Sequence, residues 1–246
     1  MKKNELILLL GKRNFLTRVN ENKLHTEFGI IDLSKLMKMK IGGIIKSHTG
    51  EEFTIAKPTI IDILTKKAKR LPQIVMPEDA ALILATTGMA PNSLVVDAGS
   101  GSGFLSIFLA YYCQQGKVVT YEKNVKFAKV VEENIELSGL TNIDVRKGDI
   151  LRGIKEKNVD LITLDMKDAE KMVSKSYRSL KAGGWVVVYS PYIEQVKRFV
   201  KELEKYQFVY VKTVENIRRE WQVEDYTRPR TSGVMHTGWL SFARKI

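Results

Sequence analysis

Three glycines alternate with small residues in Asp97-Ala98-Gly99-Ser100-Gly101-Ser102-Gly103. The apolar run from Ser93 to Asp97 precedes them and reads as a buried strand; Phe104 to Gln114 follows and reads as a helix. Glycines at such a junction let backbone approach a bound group closely and adopt positive φ. A tight turn alone explains one glycine, not three in alternation. A dinucleotide fingerprint needs glycine at position 104, which is Phe104. A phosphate-binding loop needs Gly-Lys-Ser/Thr, which is absent.

From Pro77 onward, helix and strand alternate. Helices are predicted over Glu78 to Gly88, Phe104 to Gln114, Val125 to Ser138, Ala169 to Leu180 and Ile193 to Tyr206. Strands are predicted at Ser93 to Asp97, Val118 to Glu122, Ile143 to Arg146, Val159 to Leu164 and Trp185 to Tyr189. Apolar runs without alternation belong to strands buried on both faces, as in a parallel sheet covered by helices. Phe208 to Glu215 and Gly238 to Arg244 read as two further strands joined by a polar, arginine-bearing excursion.

Residues 1–70 have another rhythm. Leu6 to Leu10, a Gly11-Lys12 turn signal and Asn14 to Val19 read as a hairpin. Short apolar stretches follow at Gly29 to Leu33, Ile41 to Lys46 and Glu52 to Ile55, then a helix from Thr59 to Lys69. The expectation is an α/β chain with two domains, a small β-rich one at 1–70 and a larger one at 71–246, divided near Leu71-Pro72.

The charge is uneven. Residues 1–70 hold 15 Lys or Arg against 7 Asp or Glu, out of 40 and 28 in all 246 residues. Counterion release makes such a basic surface bind phosphate backbones. The plainer reading is a solvated, lysine-rich face. A single cysteine, Cys113, excludes an internal disulfide framework and a multi-cysteine zinc site. Three widely spaced histidines argue against a histidine metal site. No apolar run has the length of a membrane helix, and Leu6 to Leu10 is too short for a signal peptide core. A cytoplasmic protein without a membrane partner or metal is expected.

The pattern Asp-x-Gly-x-Gly-x-Gly resembles motif I of the S-adenosylmethionine-dependent methyltransferases with a Rossmann-like sheet. It implies a cofactor loop of Asp97, Gly99, Ser100, Gly101, Ser102 and Gly103. Glu122 ends the next strand, where a carboxylate can accept hydrogen bonds from both ribose hydroxyls. Asp149 follows the third strand, near where the cofactor's adenine would lie. Lys123 and Ile150, beside these acids, complete the expected cofactor set. Acids at strand ends also serve as turn formers or caps. Asp165, after the fourth strand, lies at the mouth of the same crevice. It can face the transferred methyl and accept a hydrogen bond from an exocyclic amine, offsetting the charge that methylation creates. Asp168 is the better candidate for capping the next helix.

Longer strings narrow the resemblance. The chain resembles the tRNA (adenine-N1)-methyltransferases of the TrmI type, especially archaeal ones, over nearly its whole length. The strings are Lys23-Leu24-His25-Thr26-Glu27-Phe28-Gly29, Ser47-His48-Thr49-Gly50-Glu51-Glu52-Phe53, Arg70-Leu71-Pro72-Gln73-Ile74-Val75, Ser190-Pro191-Tyr192 and Arg228-Pro229-Arg230-Thr231 with His236-Thr237-Gly238. The resemblance implies N1 methylation of T-loop adenosine at tRNA position 58, and 57 in some archaeal relatives. It also implies S-adenosylmethionine as donor, tRNA as partner and a homotetramer. It implies Asp165 as the catalytic and cofactor-facing acid, and Met76 and His236 at the substrate base. Met76 departs from the Tyr or His usual there, and Glu78 from a usual Lys. Trp221 and Trp239 are expected to be packing residues and Cys113 a buried small hydrophobe. Two alternatives stay open: the same fold acting on another RNA base or a small molecule, and a non-catalytic RNA-binding subunit.

Overall fold

The computed structural model describes every residue except 72, 73, 232, 234 and 235. It contains two compact units, Met1–Ala68 and Lys69–Ile246. Pro72, half of the expected dividing dipeptide, and Gln73 of the family string lie outside the described residues.

The first unit is built from short antiparallel strands: β1 (Leu6–Leu10), β2 (Phe15–Arg18), β3 (Lys23–Thr26), β4 (Gly29–Asp32), β5 (Ile44–Lys46) and β6 (Glu52–Ala56). Four form a sheet in the order β2-β1-β6-β5, and β3 pairs with β4 as a separate hairpin. Alternation along β6 buries Phe53 and Ile55. They pack with Ile7, Leu9, Ile31 and Leu36. Phe15 meets Phe53 edge-on, with ring centroids 5.8 Å apart. Helix α1 (Ile60–Lys66) starts at Thr59 with a capping box to Asp62, which satisfies two orphan amides at once.

The second unit carries α2 (Pro77–Thr87), β7 (Leu94–Ala98), α3 (Phe104–Tyr112), β8 (Lys117–Glu122), α4 (Val125–Ser138), β9 (Ile143–Lys147), β10 (Val159–Leu164), α5 (Val173–Ser179), β11 (Leu180–Ser190), α6 (Ile193–Leu203), β12 (Phe208–Glu215), β13 (Trp221–Gln222), β14 (Arg228–Pro229) and β15 (Trp239–Lys245). Seven strands form one sheet in the order β12-β15-β11-β10-β7-β8-β9. The ladders from β9 to β11 are parallel, and β15 runs antiparallel to both β11 and β12. The parallel sheet expected from the unbroken apolar runs forms, and the C-terminal strand β15 joins it antiparallel. Strand order reverses at β7, so the crevice beyond the carboxyl ends of β7 and β10 is the topological switch point.

Val96, Val119, Ile162, Leu164, Val186 and Val188 are buried within the sheet core, as the unbroken apolar runs require. Every residue from Phe104 to Ala110 in α3 is buried. Helix α4 is amphipathic: Ala128, Val131 and Asn134 face inward, Asn124 caps its start, and Gly139 ends it in the left-handed region. Buried Asn134 donates to the carbonyls of Lys69 (2.9 Å) and Ser102 (2.7 Å) and accepts from the Lys69 amide (2.9 Å). It thereby ties the glycine loop to the start of the unit. Cys113 is fully buried, and burial pushes its thiol pKa up to about 11.

Three expectations differ from the structure. The helix expected from Ala169 to Leu180 is a 3₁₀ turn, Ala169–Met172, followed by α5, and Leu180 opens β11 by pairing with Val159. Tertiary pairing overrides local propensity there. Asp168 makes no side-chain cap bond; it pairs with Lys171 instead. Trp221 does not pack: it is 54% exposed on the small β13–β14 hairpin.

Candidate functional site

The site begins with a row across the sheet. Register places Thr163, Asp97 and Thr120 side by side on β10, β7 and β8. Asp97 is buried, and its two oxygens accept from the Thr163 and Thr120 hydroxyls, each at 2.7 Å. Thr120 has one hydroxyl proton, and it goes to Asp97. Ser100 Oγ, 2.5 Å from Thr120 Oγ1, is therefore the donor in that pair. Burial raises the Asp97 carboxyl pKa, the two hydroxyls lower it, and the Glu122 charge raises it again. This network anchors the glycine loop from below.

Above it the loop turns sharply. The Gly99 amide donates to the Tyr121 carbonyl at 3.2 Å, and the Asp165 amide donates to the Ala98 carbonyl at 2.8 Å. Gly99 has φ +85, and a Cβ there would lie 1.8 Å from the Asp165 carbonyl oxygen. Glycine is obligatory at that position.

A cavity of about 300 Å³ opens over this turn, lined by Gly99, Gly101, Glu122, Asp149, Ile150 and Asp165. Lys123 stands exposed at its edge. Glu122 is only 6% exposed. Its Oε2 accepts from the Gly101 amide (3.1 Å) and its Oε1 from the Asn124 amide (2.8 Å). An ionised carboxylate has about four lone-pair sites, so about two remain for a vicinal diol. Asp149 caps a 3₁₀ turn by accepting from the Leu151 amide at 2.9 Å. That cap places buried Ile150 on the cavity wall. A diol acceptor, an apolar flank and a carboxylate at separate points of one cavity fit the adenosyl donor expected from the sequence.

Asp165 is half-buried and lines this cavity. Surrounding protein pushes its carboxyl pKa up to about 7, chiefly by desolvation and further by the Asp97 charge. It follows Leu164, which pairs with Val188 of β11, so Tyr189 comes next to it in register. Tyr189 donates its hydroxyl to the Thr237 carbonyl. Burial pushes the Tyr189 pKa up to about 12; the nearby Thr237 hydroxyl lowers it, and the charges of Asp79 and Asp165 raise it.

A second cavity, of about 230 Å³, is lined by Met76, Asp79, Asn216 and Thr237. Arg218 stands at its rim, paired with Glu78 and, at 2.7 Å, with Glu220.

The structure brings Gly99, Gly101, Glu122, Lys123, Asp149, Ile150 and Asp165 to one cavity and Met76 to the second. It does not bring the side chains of Asp97, Ser100 and Ser102 to the cavity wall; all three are buried beneath the loop. Gly103, with φ +80, caps α3 and abuts Val131. His236 lines neither cavity. Its Nδ1 lies 2.6 Å from Glu215, its Nε2 3.5 Å from the Pro191 carbonyl, and its ring packs on Trp239. The Glu215 bond raises its pKa. Sequence reasoning missed Asp79, Tyr189 and Thr237. Asp79 reads as an ordinary first-turn acid, and nothing local distinguishes Tyr189 from a strand residue. Among the described residues, no group of three or more His, Cys, Asp or Glu is placed to hold a metal ion. Among the same residues, no helix is long and apolar enough to cross a membrane.

Residues 58–232 match the family described as "tRNA methyltransferase complex GCD14 subunit". The chain is 36% identical to the tRNA (adenine(57)-N(1)/adenine(58)-N(1))-methyltransferase TrmI of Methanocaldococcus jannaschii, covering 95% of this chain and 92% of that one. Its fold superposes on a SAM-dependent O-methyltransferase from Thermotoga maritima with a TM-score of 0.92, at 32% identity, over 100% of this chain and 94% of that one. It superposes on the tRNA (m1A58) methyltransferase TrmI of Aquifex aeolicus with a TM-score of 0.85, at 24% identity, over 100% and 98% of the two chains. The family match spans well over half of the sequence and the methanogen relative nearly all of it, and on that ground the chain belongs to the GCD14 family of tRNA methyltransferase subunits.

Proposed function

We propose that the chain transfers the methyl group of S-adenosylmethionine to N1 of adenosine in the T-loop of tRNA, at position 58 and at the neighbouring position 57. One observation carries the reading: Asp165 lies at the end of β10 on the same cavity wall as the glycine loop, Glu122 and Asp149. The methanogen relative, similar along 95% of this chain, is described as acting on both adenines.

Glu122 accepts the ribose hydroxyls with its two remaining lone-pair sites, and Ile150 flanks the purine of the donor. S-adenosylmethionine supplies, when bound, a methyl group already activated on a sulfonium. The target adenine leaves its stack, at a cost of a few kcal/mol. Asp165 accepts a hydrogen bond from the adenine N6 amino group. That raises electron density at N1 and orients its lone pair toward the methyl. As N1 becomes alkylated the ring turns cationic, and the fixed carboxylate offsets that charge. A cation seated beside Asp165 favours its ionised form, so the raised pKa of the free site does not block the chemistry. Asp97, Ser100 and Ser102 act beneath the loop, holding its shape.

The basic residues of 1–70 grip the tRNA backbone, and the enzyme works as a homotetramer in the cytoplasm, where its substrate is matured. The test is to incubate the protein with tRNA and S-adenosylmethionine, digest the tRNA and map its nucleosides by mass spectrometry. N1-methyladenosine at position 58, and at 57 where that base is adenine, is the expected product. The Thermotoga maritima description defines the opposing result: methyl on an oxygen nucleophile, with no N1-methyladenosine, overturns the reading.

A further inference from the structure

Methylation at N1 imposes a constraint on recognition. The Watson–Crick edge of the adenine must face the methyl donor and Asp165, so selection of the base has to come from another edge. Adenine's Hoogsteen edge offers one donor, the N6 amino group, and one acceptor, N7; guanine offers two acceptors there. A reader of adenine therefore needs an acceptor and a donor side by side.

The second cavity holds that pair. Asp79, in the first turn of α2, is only 2% exposed, and its Oδ2 is buried without a hydrogen-bond partner among the described residues. Thr237 Oγ1 is likewise buried and without a partner among them. Both residues line the cavity of about 230 Å³, beside Met76. Burial raises the Asp79 carboxyl pKa; the Thr237 hydroxyl and the Asn216 side-chain amide lie near enough to lower it in part, yet neither satisfies Oδ2. A helix-dipole role does not account for this burial. An acid in a first turn gains less from the helix dipole than a buried unpaired polar atom costs. Glu78, less buried in the same turn, serves the dipole without that cost. Tyr189 stands near both acids: it follows Val188, the partner of Leu164, bonds the Thr237 carbonyl, and feels the charge of both Asp79 and Asp165.

We propose that Asp79 and Thr237 read the Hoogsteen edge of the target adenine, Asp79 accepting from N6 and the Thr237 hydroxyl donating to N7, while N1 is left facing Asp165. The proposal rests on the adenine-N1 reading above and assigns its base selectivity. The two N6 protons are shared, one to Asp165 and one to Asp79. Guanine is refused because its O6 would confront the Asp79 carboxylate with no proton between them. Met76 supplies apolar contact to the face of the ring.

The test uses tRNA transcripts carrying adenosine, purine riboside (no N6 amine) or 7-deazaadenosine (no N7) at the target position. Methyl-transfer kcat/KM is measured for the wild type, Asp79→Ala and Thr237→Val. Wild type is expected to lose about ten-fold on 7-deazaadenosine, the scale of one buried hydrogen bond, and more on purine riboside, which lacks the N6 protons that reach both Asp79 and Asp165. Asp79→Ala should lose a similar factor on adenosine but little further on purine riboside. Thr237→Val should lose several-fold on adenosine and not distinguish it from 7-deazaadenosine. Calorimetric affinity for S-adenosylmethionine should stay within about two-fold of wild type in both variants, which reports an intact fold. Equal wild-type rates on adenosine and 7-deazaadenosine overturn the proposal whether or not the variants fold. So do variants that lose the same factor on all three transcripts. A wild type that forms no N1-methyladenosine on any transcript overturns the parent reading, and this one with it.

Discussion

Gly99 and Asp165 are in backbone contact: a side chain at residue 99 would meet the Asp165 carbonyl oxygen at 1.8 Å. The turn proposed to receive the methyl donor and the proposed catalytic carboxylate thus share one rigid junction. Gly99→Ala must move one of them, against a φ of +85 that disfavours any side chain. The expected outcome is a loss of about 1–3 kcal/mol in urea unfolding and at least about ten-fold weaker S-adenosylmethionine binding by calorimetry. Unchanged affinity would separate the loop from the donor site.

Asp165 titrates near pH 7 in the free protein. Its ionised form is the stronger acceptor for the N6 hydrogen bond and alone opposes the ring's positive charge. The kcat/KM for methyl transfer should therefore rise with pH through an apparent pKa near 7. The kcat limb should lie lower, because a bound sulfonium favours the carboxylate. Asp165→Asn should lose about 10²–10⁴-fold in kcat while holding S-adenosylmethionine within a few-fold. A rate that stays flat with pH across the neutral range contradicts the assignment.

The same group carries a stability cost. Its folded pKa of about 7 lies above the ordinary 3.8, so between those values the folded chain binds the extra proton. Stability from this group is highest below the ordinary pKa and falls as pH rises toward 7. Asp165→Asn removes the penalty. Its Tm advantage over wild type should be near zero around pH 4, grow to pH 7 and then level off. About 4 kcal/mol is the ceiling from the pKa difference, and about 2 kcal/mol the expectation after solvent screening. A constant difference across that range would show that the carboxyl is not desolvated. Function and stability oppose each other here, as at other active sites.

Thr163 donates to buried Asp97 at 2.7 Å. Thr163→Val keeps the shape and strands one carboxylate oxygen in the core, which costs about 1–3 kcal/mol. Asp97→Asn in the same background should recover part of that loss, since an amide is cheaper to bury than an ion. Chemical denaturation of the single and double variants reads the coupling directly. Additive losses would mean that the three-strand network is not a unit.

Much of the fold is legible because its signals are local. Val159 to Leu164 is an unbroken strand, largely apolar, and α4 is bracketed by Asn124 and Gly139. Strand β3 escapes a sequence reading because Lys23-Leu24-His25-Thr26 is largely polar and pairs only with β4. The end of the helix expected at Leu180 is set by pairing with Val159, far back along the chain. In the site, Glu122, Asp149 and Asp165 are readable as acids at strand ends. Asp97 looks the same in sequence, but it lies one residue inside its strand. There it shares a row with Thr120 and Thr163, and only the register reveals that it points into the core. Asp79 and Thr237 stand near opposite ends of the larger unit's sequence, so no local pattern announces their meeting.

The basic surface of the first unit gives a last prediction. Exposed ion pairs contribute little to stability, but pairing reduces the charge a cation offers to a phosphate. Lys3, Lys12, Arg13 and Lys46 are each paired with a glutamate. Lys35, Lys38 and Lys40 stand exposed in and just after the 3₁₀ segment Leu33–Lys38. Replacing these three by Gln should flatten the dependence of log Kd for tRNA on log salt by about two to three units, near 0.9 for each phosphate no longer neutralised. Replacing Lys3, Lys12 and Lys46 should flatten it less, because each already has a glutamate beside it and offers less of its charge to a phosphate. Methylation at saturating tRNA should be unchanged in both sets, since neither lies among the residues around Asp165. An identical slope for wild type and the Lys35, Lys38, Lys40 variant, measured by filter binding over a range of salt concentrations, would remove that patch from the tRNA interface.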